Sequence, residues 1–219
     1  METTAIRTRF AVHQVRQLSD SAYVLRFDRH GLPFEPGQYL SVGPADDIHM
    51  REYSVYSSPQ DDYLEILVKE VDGGLVSRRM RDLKPGDPVA VDGPFGYFTV
   101  DSDWSDHSYV FIATGTGVSP FHSLVRSYPG IDYTVLHGVR GTSELYEQEV
   151  FDPDRLVSCI SRNTSGGFHG RVTDYLRSHP VDPAARYYLC GNCDMIYEAF
   201  DVLQDAGVPH NQLFAEVYF

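Results

Sequence analysis

YVFIATGTGVSP, residues 109–120, is the stretch on which the architecture turns. Its first part is a short apolar run bounded by turn residues, the pattern of a strand buried on both faces. Gly115 and Gly117 then break the run, and Pro120 suits the first turn of a helix that continues to about Tyr128. Strand, glycine turn and helix in this order open a βαβ unit. The same alternation continues downstream. DYTVLHGVR (132–140), LVSCISR (156–162) and RYYLCGN (186–192) read as strands. SELYEQEVF (143–151), VTDYLRSH (172–179) and DMIYEAFDVLQDAG (194–207) read as helices, the last ending at Gly207. A parallel sheet covered on both faces is expected. The chain closes with QLFAEVYF.

Upstream the pattern is different. TRFAVHQVRQL, AYVLRFD, QYLSVG, REYSVYSS, LEILVKEV and PVAVDG are short strand-like runs, separated by Gly, Pro and Asp clusters such as DRHGLPFEPG and LKPGDP. That spacing predicts an antiparallel sandwich or barrel, interrupted by one helix over LVSRRMRDL (75–83). The polar stretch DSDWSDHS (101–108) is the expected junction, giving a β domain over 1–102 and an α/β domain over 103–219.

Composition narrows the function classes. The net charge is -13, and each half carries more acidic than basic side chains, so nucleic-acid binding is not expected. No apolar run approaches the ~18 residues that span a bilayer. The start, METTAIRTRF, has no long apolar stretch behind its arginines, so a cytoplasmic, membrane-free monomer is expected. Three cysteines, Cys159, Cys190 and Cys193, are too few for a disulfide scaffold or for the four thiolates of an iron–sulfur cluster. CGNC (190–193) has the spacing of a redox pair, yet no thioredoxin-like context surrounds it. No metal site is expected.

In an open parallel sheet, ligands gather at the carboxyl ends of the strands. ATGTGVSP, HGVRGTS, ISRNTSGG and CGNCDM should therefore share one edge. Gly115-Thr116-Gly117 links a buried strand to a helix, as a dinucleotide-binding turn requires, although GxGxxG is absent. The next strand ends in Arg140 where NAD-binding folds place an acidic residue, which favours a 2′-phosphate. Ser161, Arg162 and Arg171 fall on the same edge and can add to that site; singly, each arginine also fits a solvated surface. In the first half, Arg51-Glu52-Tyr53-Ser54 pairs an aromatic with a hydroxyl and a guanidinium, a set that can stack on a planar ring and neutralise a pyrophosphate. An ordinary strand with a half-buried tyrosine reads the same way. Gly73-Gly74-Leu75-Val76-Ser77 can bring amides to an anion at a helix start, or can be a capped turn. Gly93-Pro94-Phe95-Gly96 is a tight turn.

Taken together and in order, REYS, GLVS, GDPVAVDGPFG, GTGVSP, GVR, SR, GR, CGNCDM and EVY resemble the ferredoxin–NADP reductase family, and the resemblance covers essentially the whole chain. It implies an antiparallel flavin-binding barrel followed by a Rossmann-like NADP domain, with FAD and NADP as cofactors. By that resemblance Arg51, Glu52, Tyr53 and Ser54 form the flavin site, with Tyr53 stacked on the ring and Ser54 near N5. Leu75, Val76 and Ser77 hold the flavin phosphates, Ser77 through its hydroxyl. Thr116 lies between flavin and nicotinamide, and Gly117, Val139, Arg140, Ser161, Arg162, Arg171, Gly191, Asn192 and Met195 contact NADP. Cys190 sits beside the nicotinamide, Glu216 is the carboxylate near the reacting centre, and Tyr218 covers a flavin face. Phe219 follows the tyrosine, a bacterial trait that reaches towards the adenine of FAD.

The activity implied is exchange between NADPH and ferredoxin or flavodoxin through FAD. Its rivals are an NAD(P)H:flavin reductase, the reductase component of an oxygenase, and a non-enzymatic flavin-binding electron-transfer subunit. Arg78, Arg79, Arg81 and Lys84 form the only dense basic cluster, either a docking surface for an acidic carrier or a solvated helix face.

Overall fold

The computed structural model describes residues 8–162 and 166–218, so Phe219 lies outside the described residues. The chain divides between Thr99 and Val100, slightly ahead of the expected 102/103 junction. The reason lies in Arg186, whose Nη1 reaches Asp101 at 3.1 Å and Asp103 at 3.4 Å and so ties these residues to the second unit.

The first unit contains β1 Thr8–Ser19, β2 Ala22–Asp28, β3 Tyr39–Pro44, β4 Arg51–Ser54, β5 Tyr63–Lys69 and β6 Pro88–Phe95. They pair antiparallel in the order β4-β3-β6-β1-β2-β5. A bridge from Val55 to Ile66, with Tyr56 N–H donating to the Glu65 carbonyl at 2.8 Å, brings the two edges together and closes a barrel. Closure removes the exposed edges of the sheet. Alternate residues point inward, so Phe10, Val12, Leu25, Phe27, Leu40, Val42, Ile66, Val68, Val89 and Val91 fill the interior. The one α-helix among the described residues of this unit, α1 Leu75–Arg81, buries Val76 and Met80. Tyr23, itself inside the barrel, donates its hydroxyl to the Ser77 carbonyl at 2.5 Å and fastens α1 to the barrel. Burial keeps that phenol protonated by pushing its pKa up.

The second unit contains β7 Ser108–Thr114, α2 Ser119–Ser127, β8 Asp132–Val139, β9 Leu156–Ile160, β10 Phe168–His169, α3 Val172–Ser178, β11 Arg186–Asn192, α4 Cys193–Asp205 and β12 Leu213–Tyr218. All neighbours in the order β10-β9-β8-β7-β11-β12 run parallel. One face packs Ile112, Leu136, Cys159 and Leu189 against Leu176 of α3 and Met195, Ile196, Ala199 and Leu203 of α4. The other face is aromatic: Phe111 stacks on Phe121 of α2 with centroids 4.8 Å apart, and Tyr188 stacks on Phe214 at 4.5 Å. The expected helix over 143–151 is absent. Short 3-10 turns at Thr142–Glu144 and Gln148–Val150 stand there instead, separated by Glu147 in a left-handed conformation. Tyr146 and Phe151 are both buried, and on a helix they would point about 140° apart. Folding the segment into turns buries both rings.

Tyr23→Phe removes a buried hydrogen bond to the Ser77 carbonyl and is expected to lower unfolding free energy by about 0.5–1.5 kcal/mol. Denaturant titration measures this; an unchanged midpoint would show that the α1 fastening contributes nothing.

Candidate active site

The strand order of the second unit reverses at β7, which pairs with β8 on one side and β11 on the other. Such a switch point leaves a crevice at the carboxyl ends of the two strands. Here it is bounded by the Gly115–Val118 turn and by residues 190–193. The two segments approach closely. A Cβ on Gly117 would lie 2.3 Å from the Cys190 carbonyl oxygen, and one on Gly191 would lie 2.3 Å from Thr114 Oγ1. Thr114 Oγ1 accepts the Asn192 N–H at 2.9 Å, and Asn192 Oδ1 caps α4 by accepting from Met195 N–H at 3.2 Å. Thr114 was not singled out from sequence; a hydroxyl at the last strand position before the turn was the available signal.

β12 brings the carboxyl-terminal residues alongside. Cys190 pairs in register with Glu216, and Asn192 with Tyr218. The Cys190 thiol is fully buried; burial and the Glu216 charge push its pKa well up, while a hydrogen bond with the Tyr218 side chain works the other way. Cys190 is therefore a neutral thiol, unlike the thiolate that redox-active CxxC pairs use. The structure thus gathers Thr116, Gly117, Cys190, Gly191, Asn192, Glu216 and Tyr218 at one strand edge.

The arginines sit farther along that edge. Arg140 follows β8 and Arg162 follows β9, and Arg162 N–H donates to the Arg140 carbonyl at 3.0 Å. Ser161 fixes the same corner, its N–H and Oγ both donating to the Val139 carbonyl. Arg171 precedes α3 and ties its own N–H to Asp174 at 2.8 Å. All three side chains are exposed, and among the described residues none of the three guanidinium groups has a carboxylate partner. Guanidinium groups left unpaired on one edge fit a phosphate.

In the first unit, β4 leaves Arg51 and Glu52 exposed, Tyr53 half-buried and Ser54 buried. Burial pushes the Tyr53 phenol up to about 12, so it stays a donor at neutral pH. At α1 the N-cap is Gly74, no side chain caps the helix and no acidic residue occupies the first turn. The amides of Leu75, Val76 and Ser77 lack intrahelical partners, an arrangement that fits a phosphate. The Ser77 hydroxyl is buried and accepts from Val71 N–H at 3.4 Å, so it is engaged in the turn. The three arginines of the cluster after it are not free positive charge. Arg78 meets Glu70 at 3.2 Å, Arg79 meets Asp46 at 2.6 Å and Asp47 at 2.5 Å, and Arg81 meets Glu70 at 2.7 Å.

Residues 9–100 match the oxidoreductase FAD-binding domain family. The chain is 30% identical over 230 residues to the ferredoxin–NADP reductase of Azotobacter vinelandii, covering 90% of this chain and 89% of that protein. The chain belongs to the ferredoxin–NADP reductase family. It is 29% identical over 209 residues to the reductase component of propane 2-monooxygenase from Rhodococcus jostii, covering 86% of this chain but only 56% of that protein, so the reductase spans just over half of that relative. The fold also matches a ferredoxin NADP+ reductase from Neisseria gonorrhoeae crystallised with FAD and NADP, with a TM-score of 0.85, 22% identity, and coverage of 98% and 100%. The reductase is thus a flavin-type oxidoreductase, and among its described residues no helix is long and apolar enough to cross a membrane.

One buried group was missed. His137 lies in β8, only 1% exposed, with Nε2 2.9 Å from the Gly115 carbonyl oxygen. A carbonyl only accepts, so Nε2 carries the proton. Burial, opposed by that hydrogen bond, lowers the pKa of this histidine from 6.5 to about 4.

Two expectations follow. Gly117→Ala must displace backbone, and is expected to cost roughly 1–3 kcal/mol of stability, whereas Gly141→Ala, with open space around it, stays within about 0.5 kcal/mol. Equal thermal midpoints for the two variants would refute the close-approach argument. Between pH 6.5 and 4 the unfolded chain protonates His137 while the folded chain does not, so its contribution is complete above 6.5 and about 3 kcal/mol is lost by pH 4. Measured against pH, the stability of His137→Gln should fall less steeply than that of the parent over this range; parallel curves would contradict the assignment.

Proposed function

We propose that the reductase transfers hydride between NADPH and FAD, and single electrons between FAD and a ferredoxin or flavodoxin. The unpaired trio of Arg140, Arg162 and Arg171 on the carboxyl edge of the parallel sheet carries the NADPH half of this reading. When bound, the two cofactors supply the redox chemistry, and the protein supplies binding, orientation and a dry environment.

The roles of the residues follow. Arg51 would neutralise the flavin pyrophosphate, Tyr53 would stack on the flavin, and Ser54 would offer its hydroxyl beside it. Glu52 lies beside them on β4. The amides of Leu75, Val76 and Ser77 receive the flavin phosphates. Arg140, Arg162 and Arg171, with Ser161, hold the 2′-phosphate, and the Gly115–Val118 turn takes the nicotinamide half beside Cys190. Val139, Gly191, Asn192 and Met195 shape the same edge. Tyr218, its side chain bonded to the Cys190 thiol, would have to move for a nicotinamide to stack in its place. Glu216 provides a carboxylate next to that thiol.

The electron carrier rests on the names of relatives. The Azotobacter protein supports a ferredoxin, and the Rhodococcus component supports a second reading as the reductase of an oxygenase. The pairing of Arg78, Arg79 and Arg81 with carboxylates removes the main support for carrier docking on that cluster.

The purified protein is expected to carry FAD and to oxidise NADPH faster with ferredoxin or flavodoxin than with free flavin. Arg140→Ala or Arg162→Ala should each raise the KM for NADPH roughly 10- to 100-fold, equivalent to ~1.5–3 kcal/mol, and leave NADH unaffected. Steady-state assays with both nucleotides decide this, and equal losses with NADPH and NADH would sink the phosphate assignment.

A further inference from the structure

We propose that His137 is a positioning residue for the nicotinamide half of NADP, acting by holding the Gly115 carbonyl and thereby the place of Thr116 and Gly117. This rests on the reading that the second unit binds NADP.

The chain of contacts is short. His137 stands two residues before the end of β8, and β8 pairs directly with β7, in register Ala113 with His137 and Thr114 with Gly138. Its ring therefore lies beside the turn that leaves β7. The Nε2–H bonds the carbonyl of Gly115, the first residue of that turn, at 2.9 Å. Gly115 sits at φ +53, a left-handed conformation that glycine adopts without strain and that aims its carbonyl. Two residues on, Gly117 packs on the Cys190 carbonyl with no room for a Cβ. A rotation at Gly115 would press the turn into Cys190 or lift it away. His137 thus pins one end of the Gly115–Val118 turn, and the Cys190 backbone limits the other.

The histidine is itself held. The Tyr146 ring lies 6.5 Å from its ring, and Glu144, two residues earlier at the end of a 3-10 turn, accepts the Arg140 N–H on its carboxylate at 2.9 Å. The segment over 142–151 therefore packs its turns around the ring and the phosphate-side arginine together. That placement separates two effects. A changed side chain at 137 moves the turn, while Arg140 keeps its backbone bonds to Glu144 and Arg162.

The test uses His137→Leu, which keeps bulk and loses the donor, and His137→Gln, whose amide nitrogen lies near the position of Nε2. Calorimetric titration with NADP+ and with 2′-phospho-AMP reads the nicotinamide and phosphate ends separately. His137→Leu is expected to weaken NADP+ by about 10-fold and leave 2′-phospho-AMP within about twofold of the parent, and His137→Gln to recover most of the loss. With NADPH, kcat of the leucine variant should fall as well. If the leucine variant does not fold, His137→Asn, whose amide is too short to reach, must show the same selective loss. Parent-like NADP+ binding in the variant lacking the donor, equal loss of both ligands, or a glutamine variant as weak as the leucine one would each overturn the proposal. A parent that binds neither ligand would instead overturn the NADP reading on which it rests.

Discussion

The near-contact between two turns at the carboxyl ends of β7 and β11 is the constraint on which the second unit depends. Gly117 lies against the Cys190 carbonyl and Gly191 against Thr114, at separations that only a missing Cβ permits. Thr114 Oγ1 then closes the gap by taking the Asn192 amide. Side chains on the flanking strands inherit their places from this contact. Cys190 is buried because the turn covers it. Glu216 and Tyr218 arrive because β12 pairs with β11 through Asn192, one residue short of α4. A looser approach would admit water to the thiol and free the terminal strand from the crevice.

Charge is arranged on a shorter scale than the net value suggests. At -13, the chain as a whole repels an anionic nucleotide, but screening in physiological salt limits that field to about 8 Å. Local placement decides the outcome. In the first unit Arg26, Arg78, Arg79 and Arg81 are spent on Glu65, Glu70, Asp46 and Asp47. In the second, Arg155, Arg177 and Arg186 are also paired. Among the described residues Arg9 and Arg51 of the first unit, and Arg140, Arg162 and Arg171 of the second, meet no carboxylate, and the last three lie along one sheet edge. Planar guanidinium groups kept unpaired at strand ends can meet a phosphate without first breaking an ion pair.

Much of this was legible in the sequence, and the failures have physical causes. Period-two alternation in TRFAVHQV and the apolar runs of YVFIAT and YYLC fixed strands, because burial on one or two faces writes itself into spacing. The turn GTGVSP and the arginines at strand ends followed from sheet topology. Residues 143–151 misled because Leu145, Gln148 and three glutamates favour a helix, and only the fold shows that Tyr146 and Phe151 are both buried. Arg79 looked free because Asp46 and Asp47 lie more than thirty residues away in the chain. The Val71 amide that the Ser77 hydroxyl accepts was equally invisible in the spacing, although that bond leaves the O–H free to donate. His137 was overlooked for a related reason: a lone histidine in an apolar strand carries no sign of what its ring touches.

The CGNC segment shows how such a motif can be read too chemically. Two cysteines at this spacing suggest thiol exchange, which needs a thiolate stabilised by nearby positive charge or a helix start. Cys190 has the opposite surroundings, since burial and Glu216 both favour the protonated form. Gly191 is there for close approach, and Asn192 for the α4 cap through Met195. Cys190, Gly191 and Asn192 each have a geometric task, and none of these tasks needs a reactive sulfur. A neutral thiol bonded to Tyr218 is compact and polarizable, and it serves as a small buried side chain at the carboxyl end of β11.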